Sequence, residues 1–554
     1  LKKSASGRTL VSCTYFSDGS LESLTDASGK PVFYEYDWRG NLSAVKDGNG
    51  ETLAAYAHTP GGRLKEIRHG NGIRTGYEYD TDGNLVHLHM EHTDGEILAD
   101  LYYSHDLNGN RTLKSGSRIG GAGKATEHKI SYVYDRMDRL VTETRQGEET
   151  AYVYDLCGNR LKKLDKSGTE EYHYNRKNQL ICRFSEKDKT AYCYDKQGNL
   201  LEAAGAEGTA VFSYNAFHQQ TAVTMPDGKH LENRYDAEYL RAGMVENGTV
   251  ATFSYHNGEL LAESSPEGDT ISRYIPGYGV AAGWNRERSG YHYYHLDEQN
   301  STAYITGSSG EIENRYEYDA FGVLQDSREE LRNRILYTGQ QYDQTSGQYY
   351  LRARFYNPVL GRFVQEDVYR GDGLNLYAYC RNNPVVYYDP SGYDSQYPCK
   401  EETSAGESGR GESGDSPGIK VASYNNMRND PNVTGQSHHL SQNAVFKNAI
   451  PQGDGLCVEL NGNAFSEIGS PHYEAHNSLE RFWNQYRPGG GLYREYPTIG
   501  EYNRAVYDSL LSTDKFTPQE AAYAVRKAYE QQRSVGFMNS DFVPRIPGKL
   551  PQKK

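Results

Sequence analysis

The chain has little of what marks a membrane protein or a disulfide-built one. None of its 554 residues belongs to an apolar run long enough to cross a bilayer. Its seven cysteines, at positions 13, 157, 182, 193, 380, 399 and 457, contain no Cys-x-x-Cys pair and no regular spacing, so they support neither a zinc knuckle nor a disulfide framework. The mean hydropathy is low, at −0.84. No signal-peptide pattern opens the chain at Leu1, and the expectation is a piece of a longer protein with any targeting segment upstream. What is abundant is tyrosine, at 49, and glycine, at 58. Tyrosine must therefore do much of the packing that aliphatic residues do elsewhere, in a chain long enough for two or three domains.

Charge is unevenly spread. Residues 1–392 carry 43 Lys and Arg against 55 Asp and Glu, whereas residues 419–554 carry 15 against 13. The mildly positive end is compatible with a polyanionic substrate, but it is far from the basic patch of a dedicated nucleic-acid binder.

The first part of the sequence repeats itself. YEYDWRGNL ends at Leu42, YEYDTDGNL at Leu85, YVYDRMDRL at Leu140, YVYDLCGNR at Arg160, YHYNRKNQL at Leu180 and YCYDKQGNL at Leu200. Asp135, Asp155, Asn175, Asp195, Asn215 and Asp236 stand at steps of 20 or 21, and His58 is expected to hold the same place between Asp37 and Asp80. Each unit alternates at Tyr-x-Tyr, turns at Asp-x-x-Gly-Asn and resumes with an apolar residue, which predicts a hairpin. One hairpin cannot bury its own face, so neighbours must join into a continuous sheet.

These units resemble YD, or RHS, repeats over most of residues 10–325. The resemblance implies a mainly β fold, a large sheet coiled into a hollow shell, here spanning 1–315 and incomplete at its N-terminus. Tyrosine stripes also suit sugar-binding platforms, which keeps open a cell-surface carbohydrate-binding or adhesion protein with a non-catalytic tail.

From Tyr316 the text changes to YEYDAFGVL and then to a run ending in YYDPSG at Gly392. Two aspartates brought together cannot both ionise easily, so one can serve as acid while the other activates water. Residues 316–393 resemble the RHS repeat-associated core domain, which in that family plugs the shell and ends in a DPxG motif cut by an internal aspartyl protease. The resemblance implies roles for Arg362 in GRF, Asp367 in QED and Asp389 in YYDPSG, with the cut beside Tyr393, between Tyr393 and Asp394. Val368 stands where the family has proline, and Tyr393 where leucine is usual. The plainer alternative is that both aspartates cap turns.

Residues 394–418 are rich in Gly, Ser and Glu and read as a flexible linker. Beyond Tyr393 the only histidines are His438, His439, His472 and His476, all within 435–483. Ser470-Pro471 is a helix start, and a helix there puts His472 and His476 on one face, where both can reach a single metal ion. Leu479, Phe482, Trp483 and Tyr486 recur at helical spacing behind them. On a strand, adjacent His438 and His439 point to opposite sides, one toward a metal and one toward a water. Between the two groups CVELNGNAF predicts a short hairpin. Thr498 to Glu501 and Thr517 to Glu520 each predict a capped helix, the second with an Ala521, Ala522, Val525 and Tyr529 stripe and with Arg526 and Lys527 on a solvated face.

Residues 425–535 resemble the HNH/endonuclease VII superfamily, in its polymorphic-toxin branch with an SHH signature, here Ser437-His438-His439. For 419–554 this implies a small helix-rich α+β domain of the ββα-metal kind. It further implies His438, His472 and His476 as metal ligands, His439 as general base and Asn463 as the asparagine orienting it, with Asn461 close by. Three neutral nitrogens suit one divalent ion, zinc or another transition metal, while magnesium, which prefers oxygen ligands, stays open. The implied partners are a nucleic-acid substrate (DNA ahead of RNA), a cognate immunity protein and a secretion or delivery apparatus. The implied setting is a secreted or cell-surface chain whose tail acts in the cytoplasm of a target cell. Surface histidines on a binding helix are the bland alternative.

Overall fold

The computed structural model describes residues 2–5, 8–120, 123–186, 188–288, 290–368, 375–396, 420–430, 433, 435–447, 449–464, 467–513, 515–516, 518–535, 537 and 541–547. The chain divides into two compact units, Leu1–Glu407 and Ser408–Lys554. Residues 397–418 of the expected linker lie outside the described residues, as does Thr517 of the second expected capping box.

In the first unit, 31 strands from β1 (Lys2–Ala5) to β31 (Leu324–Glu329) form one antiparallel sheet in which each strand pairs with the next. The turns explain the repeat. The Asp37 carboxylate accepts the backbone N–H groups of Arg39 (2.8 Å) and Asn41 (3.0 Å), and the Asn41 amide donates back to it at 3.0 Å. The same bonds recur at Asp155 and Asp195. Glycine supplies the left-handed backbone of the turn, as at Gly40 (φ 87°), and where it is missing Asp138, Asn178, His218 and Tyr239 take that conformation themselves.

Thr59, not His58, stands in the aspartate position between Asp37 and Asp80. Its N–H pairs with the Arg63 carbonyl (2.7 Å) and its hydroxyl accepts the Arg63 N–H (3.2 Å), doing with one oxygen what the carboxylate does elsewhere. His58 ends the preceding strand and meets the Tyr278 hydroxyl at 2.8 Å.

The meander coils over itself, so early strands back onto late ones. Arg273 donates to Asp26 (2.6 Å), Asn71 to Thr306 (2.7 Å), Tyr103 to Glu298 (3.0 Å) and Arg118 to Tyr304 (3.2 Å). Apolar clusters fill the seam, joining Leu24, Val45 and Leu53 to Leu261 and Ile275, and Leu88 and Met90 to Tyr304. Tyr34, Tyr132, Tyr152 and Tyr172, each the first tyrosine of its Tyr-x-Tyr, are buried in such clusters. Buried rings pack walls and are closed to a sugar.

β32 (Gln341–Asp343), β33 (Gln348–Leu351), β34 (Arg354–Asn357) and β35 (Arg362–Phe363) make a separate small sheet. Tyrosine hydroxyls pin this region to the turn after Tyr318: Tyr337, Tyr356 and Tyr349 donate to the carbonyls of Ala320 (2.9 Å), Phe321 (2.7 Å) and Gly322 (2.9 Å). A fully buried ion pair, Arg241 to Asp343 at 2.6 Å, ties the small sheet to the wall. The last hairpin of the meander thus runs past the expected boundary at 315/316.

The second unit has a three-stranded sheet of β36 (Val421–Ser423), β37 (Gln436–His439) and β38 (Leu456–Leu460), with β38 central. Its helices are α1 (Tyr424–Asn429), α2 (Asn443–Phe446), α3 (Pro471–Asn484), α4 (Ile499–Leu511) and α5 (Pro518–Ser534). Among the described residues the hairpin expected within CVELNGNAF does not form. Cys457 and Val458 are both fully buried, a two-sided burial that a central strand satisfies, and Asn461-Gly462 (φ 88°) turns the chain out of the sheet toward α3. Leu479 and Trp483 of α3 pack with Tyr502 and Val506 of α4 and Ala524 and Ala528 of α5 in one core. The capping box at Thr498 and Glu501 is formed on both sides.

Candidate metal centre and chain junction

Alternation along β37 sends His438 and His439 to opposite sides. His438 meets α3, whose first turn is capped by the Ser470 hydroxyl accepting the Tyr473 N–H at 3.3 Å. His472 and His476 follow one helical turn apart. The ring centres lie 5.4 Å apart for His438 and His472, 5.0 Å for His438 and His476, and 5.0 Å for His472 and His476. One nitrogen from each ring lies within 4.8 Å of the other two. His439 stands outside this triad and stacks on Tyr424 of α1, 4.9 Å away at 22°.

Three helices hold the end of β37 in place. The Tyr502 hydroxyl donates to the Leu440 carbonyl (2.8 Å) and accepts the Gln442 N–H (2.8 Å). The Trp483 indole donates to Gln442 (2.8 Å), and Gln532 donates to Ser441 (3.0 Å).

Burial pushes all four imidazoles toward the neutral form. His438 is held well below the ordinary histidine range by burial, then by His476, His472 and His439 beside it. His476 is pushed to about 4 by burial and by His472 and His439. His472 is lowered by burial, against a smaller upward pull from the Gly462 carbonyl, and His439 by burial alone. Neutral rings are the form that ligates metals and accepts protons.

Neither ring nitrogen of His438, 1% exposed, has a hydrogen-bond partner among the described residues. Leaving buried polar atoms unsatisfied is costly, and a cation among the three rings would satisfy one nitrogen of each. The donor set is all imidazole nitrogen and leaves coordination positions for water or substrate, so it fits a late transition ion better than magnesium.

Asn463 lies in the loop before α3, where its N–H donates to Glu467 at 2.9 Å. The ring nitrogens of His439 have no hydrogen-bond partner among the described residues, so no such bond links them to Asn463. The described contact that steadies the His439 ring is Tyr424, which carries no motif. Asn461 is used through its backbone, its carbonyl accepting the His472 N–H at 3.1 Å.

At the junction, Asp367 and Asp389 are buried against one arginine, and it is Arg354. Its Nη2 lies 2.8 Å from Asp367 and 3.8 Å from Asp389, while Nη1 donates to the Leu376 carbonyl at 3.0 Å and Nε to the Gly392 carbonyl at 2.5 Å. Arg362, expected here, is directed into the wall. It donates to the Asn178 carbonyl at 2.5 Å and lies over the rings of Tyr174 (4.8 Å) and Tyr377 (5.0 Å). The cause is the pairing of β34 with β35, which sets Arg362 opposite Asn357 and leaves Arg354 at the other end of β34. Asp389 also caps its turn, accepting the N–H groups of Ser391 (3.0 Å) and Gly392 (2.7 Å). Gly392 has φ 78°, and a Cβ there would sit 2.3 Å from the Leu351 carbonyl oxygen, so only glycine fits. Tyr393 follows it, exposed.

Residues 115–385 match the family model of the teneurin YD-shell. That stretch is similar to a YD shell. The chain is similar to the tRNA3(Ser)-specific nuclease WapA of Bacillus spizizenii, 34% identical over 185 residues, covering 31% of this chain and 8% of that protein. It is similar to toxin protein Tse5 of Pseudomonas aeruginosa, 32% identical over 101 residues, covering 18% of this chain and 8% of that one. Each of these alignments thus spans only 8% of the curated relative. Among solved structures, the crystal structure of TcdB2-TccC3-Cdc42 agrees with a TM-score of 0.60 at 19% identity, covering 69% of this chain and 21% of that chain, a likeness of fold. The YD-shell match ends before Asp389, so the junction turn and the histidine cluster both lie outside it. Within it, Arg354 was hidden from motif reading because GRF at Arg362 is the more conspicuous arginine.

Proposed function

We propose that the chain is part of a delivered toxin, with the YD shell as carrier and residues 419–554 as a metal-dependent endonuclease of the HNH type, acting on DNA ahead of RNA. The observation that carries this reading is the convergence of His438, His472 and His476 within 4.8 Å. These three would hold one divalent ion, zinc or another transition metal, which when bound supplies electrophilic stabilisation of charge on the phosphodiester and its leaving oxygen. His439, kept neutral by burial and braced on Tyr424, takes the proton of the attacking water. The similarity to a tRNA nuclease and to a toxin supports the same reading. With it come a cognate immunity protein, a delivery apparatus, secretion, and action in the cytoplasm of a target cell. Incubating the full chain with plasmid DNA and with tRNA, with and without chelator, tests it. Cutting that chelator stops is expected; intact nucleic acid in every lane would contradict the nuclease.

Self-cleavage at the junction is proposed on the shared contact of Asp367 and Asp389 with Arg354. One carboxylate takes a proton from water as it attacks the Tyr393 carbonyl, and the other, as the acid, protonates the departing Asp394 nitrogen. Arg354 positions both groups and anchors the Gly392 carbonyl one residue upstream of the cut. The mass of the expressed chain should reveal two fragments, and Asp389→Asn a single intact species. A wild-type chain that stays whole would refute the cut.

A further inference from the structure

A second group of metal-ligating side chains stands on the 31-stranded sheet, far in sequence from the tail. In the strand Leu85–Glu91, Leu88 and Met90 are buried in the seam, so alternation turns His87, His89 and Glu91 to the face that water reaches. The strand Ile97–His105 sets Asp100 opposite His89 and Tyr102 opposite His87. On the other side, the strand Arg74–Tyr79 sets Glu78 opposite His87 and side-chain-free Gly76 opposite His89.

Asp100 Oδ1 lies 2.6 Å from His87 Nε2 and 3.0 Å from His89 Nδ1, and one ligand atom from each of the three residues lies within 4.8 Å of the others. The outer nitrogens also face carboxylates, His89 Nε2 at 3.1 Å from Glu91 and His87 Nδ1 at 3.6 Å from Glu78. A neutral imidazole has one N–H and one lone pair. If both rings are neutral they offer two N–H groups to four carboxylate-facing nitrogens, and two lone pairs then point at anionic oxygen. A dication between the rings and Asp100 turns both repulsions into bonds, with each outer N–H then donated to a glutamate, the arrangement that orients metal-bound histidines. Tyr102, stacked on His87 at 4.3 Å, keeps that ring in place. Metal–ligand bonds of about 2.0–2.2 Å set ligand atoms roughly 3.3 Å apart, so Asp100, now 2.6 Å from His87 and 3.0 Å from His89, would draw back from each ring by less than about 1 Å.

We propose that His87, His89 and Asp100 bind a second divalent transition-metal ion on the large sheet, with Glu91 and Glu78 holding the outer ring nitrogens. The test is calorimetric titration with Zn²⁺ of chelator-stripped full chain carrying His438→Ala, His472→Ala and His476→Ala. One equivalent should bind, vanish with His87→Ala and His89→Ala, and weaken about tenfold or more with Glu91→Gln, at unchanged circular dichroism. No binding to the triple variant, or one equivalent retained after the double substitution, overturns the proposal. Should the triple variant fail to fold, the double substitution in the unaltered chain must lower the zinc stoichiometry by one. An unchanged stoichiometry there overturns it equally. Nuclease activity is a separate readout, so failure here leaves the reading of the tail untouched.

Discussion

His438 is a buried imidazole with no hydrogen-bond partner for either nitrogen among the described residues. Such groups cost about 1–3 kcal/mol apiece when left unsatisfied, and neither of its two neighbouring imidazoles is hydrogen-bonded to it. The division of labour with His439 gives a paired expectation. His439→Ala should lower the cutting rate by about 10²–10⁴ while metal content stays unchanged, whereas His472→Ala should lose both. Metal analysis beside the rate measurement separates the two variants, and full-rate cutting by His439→Ala would remove that residue as the base. Arg354 belongs to the same scale. One guanidinium meets Asp367, Asp389 and the Gly392 carbonyl, while Arg362, eight positions on, serves the wall.

α3 is the element on which the proposed metal centre depends, since it carries two of its three ligands, His472 and His476, and is held by Trp483. That side chain is fully buried and its indole donates to Gln442, next to the strand of His438. Trp483→Ala should cost about 3–5 kcal/mol of stability in the tail unit, read by denaturant unfolding, and should weaken metal binding with it. A variant that unfolds at the wild-type midpoint would show that α3 is held by something else. The start of α3 was legible in the sequence because a serine cap and a proline act on their own helix. The register of CVELNGNAF was not. An Asn-Gly is a local hint of a hairpin, but the partners of Leu456–Leu460 are Val421–Ser423 and Gln436–His439, both distant in sequence. His58 misled for a related reason: the aspartate position is defined by its turn bonds, and a threonine can make them.

At the scale of the whole chain, the 20-residue period gave the meander directly, because Asp-x-x-Gly-Asn is a self-contained turn. Its coiling was not legible without the family resemblance, since the seam joins residues as distant as Asp26 and Arg273. The tail shares neither the period nor the acidic charge of the repeats, and its proposed chemistry rests on metal held by histidines drawn from two elements. The most direct test strips metal from the full chain, restores divalent ion in steps, and follows nucleic-acid cutting beside the His472→Ala chain. Cutting should fall on stripping and return with zinc or another transition ion in the wild type alone. Cutting that survives stripping, or that His472→Ala keeps, would contradict a metal-dependent nuclease at this site.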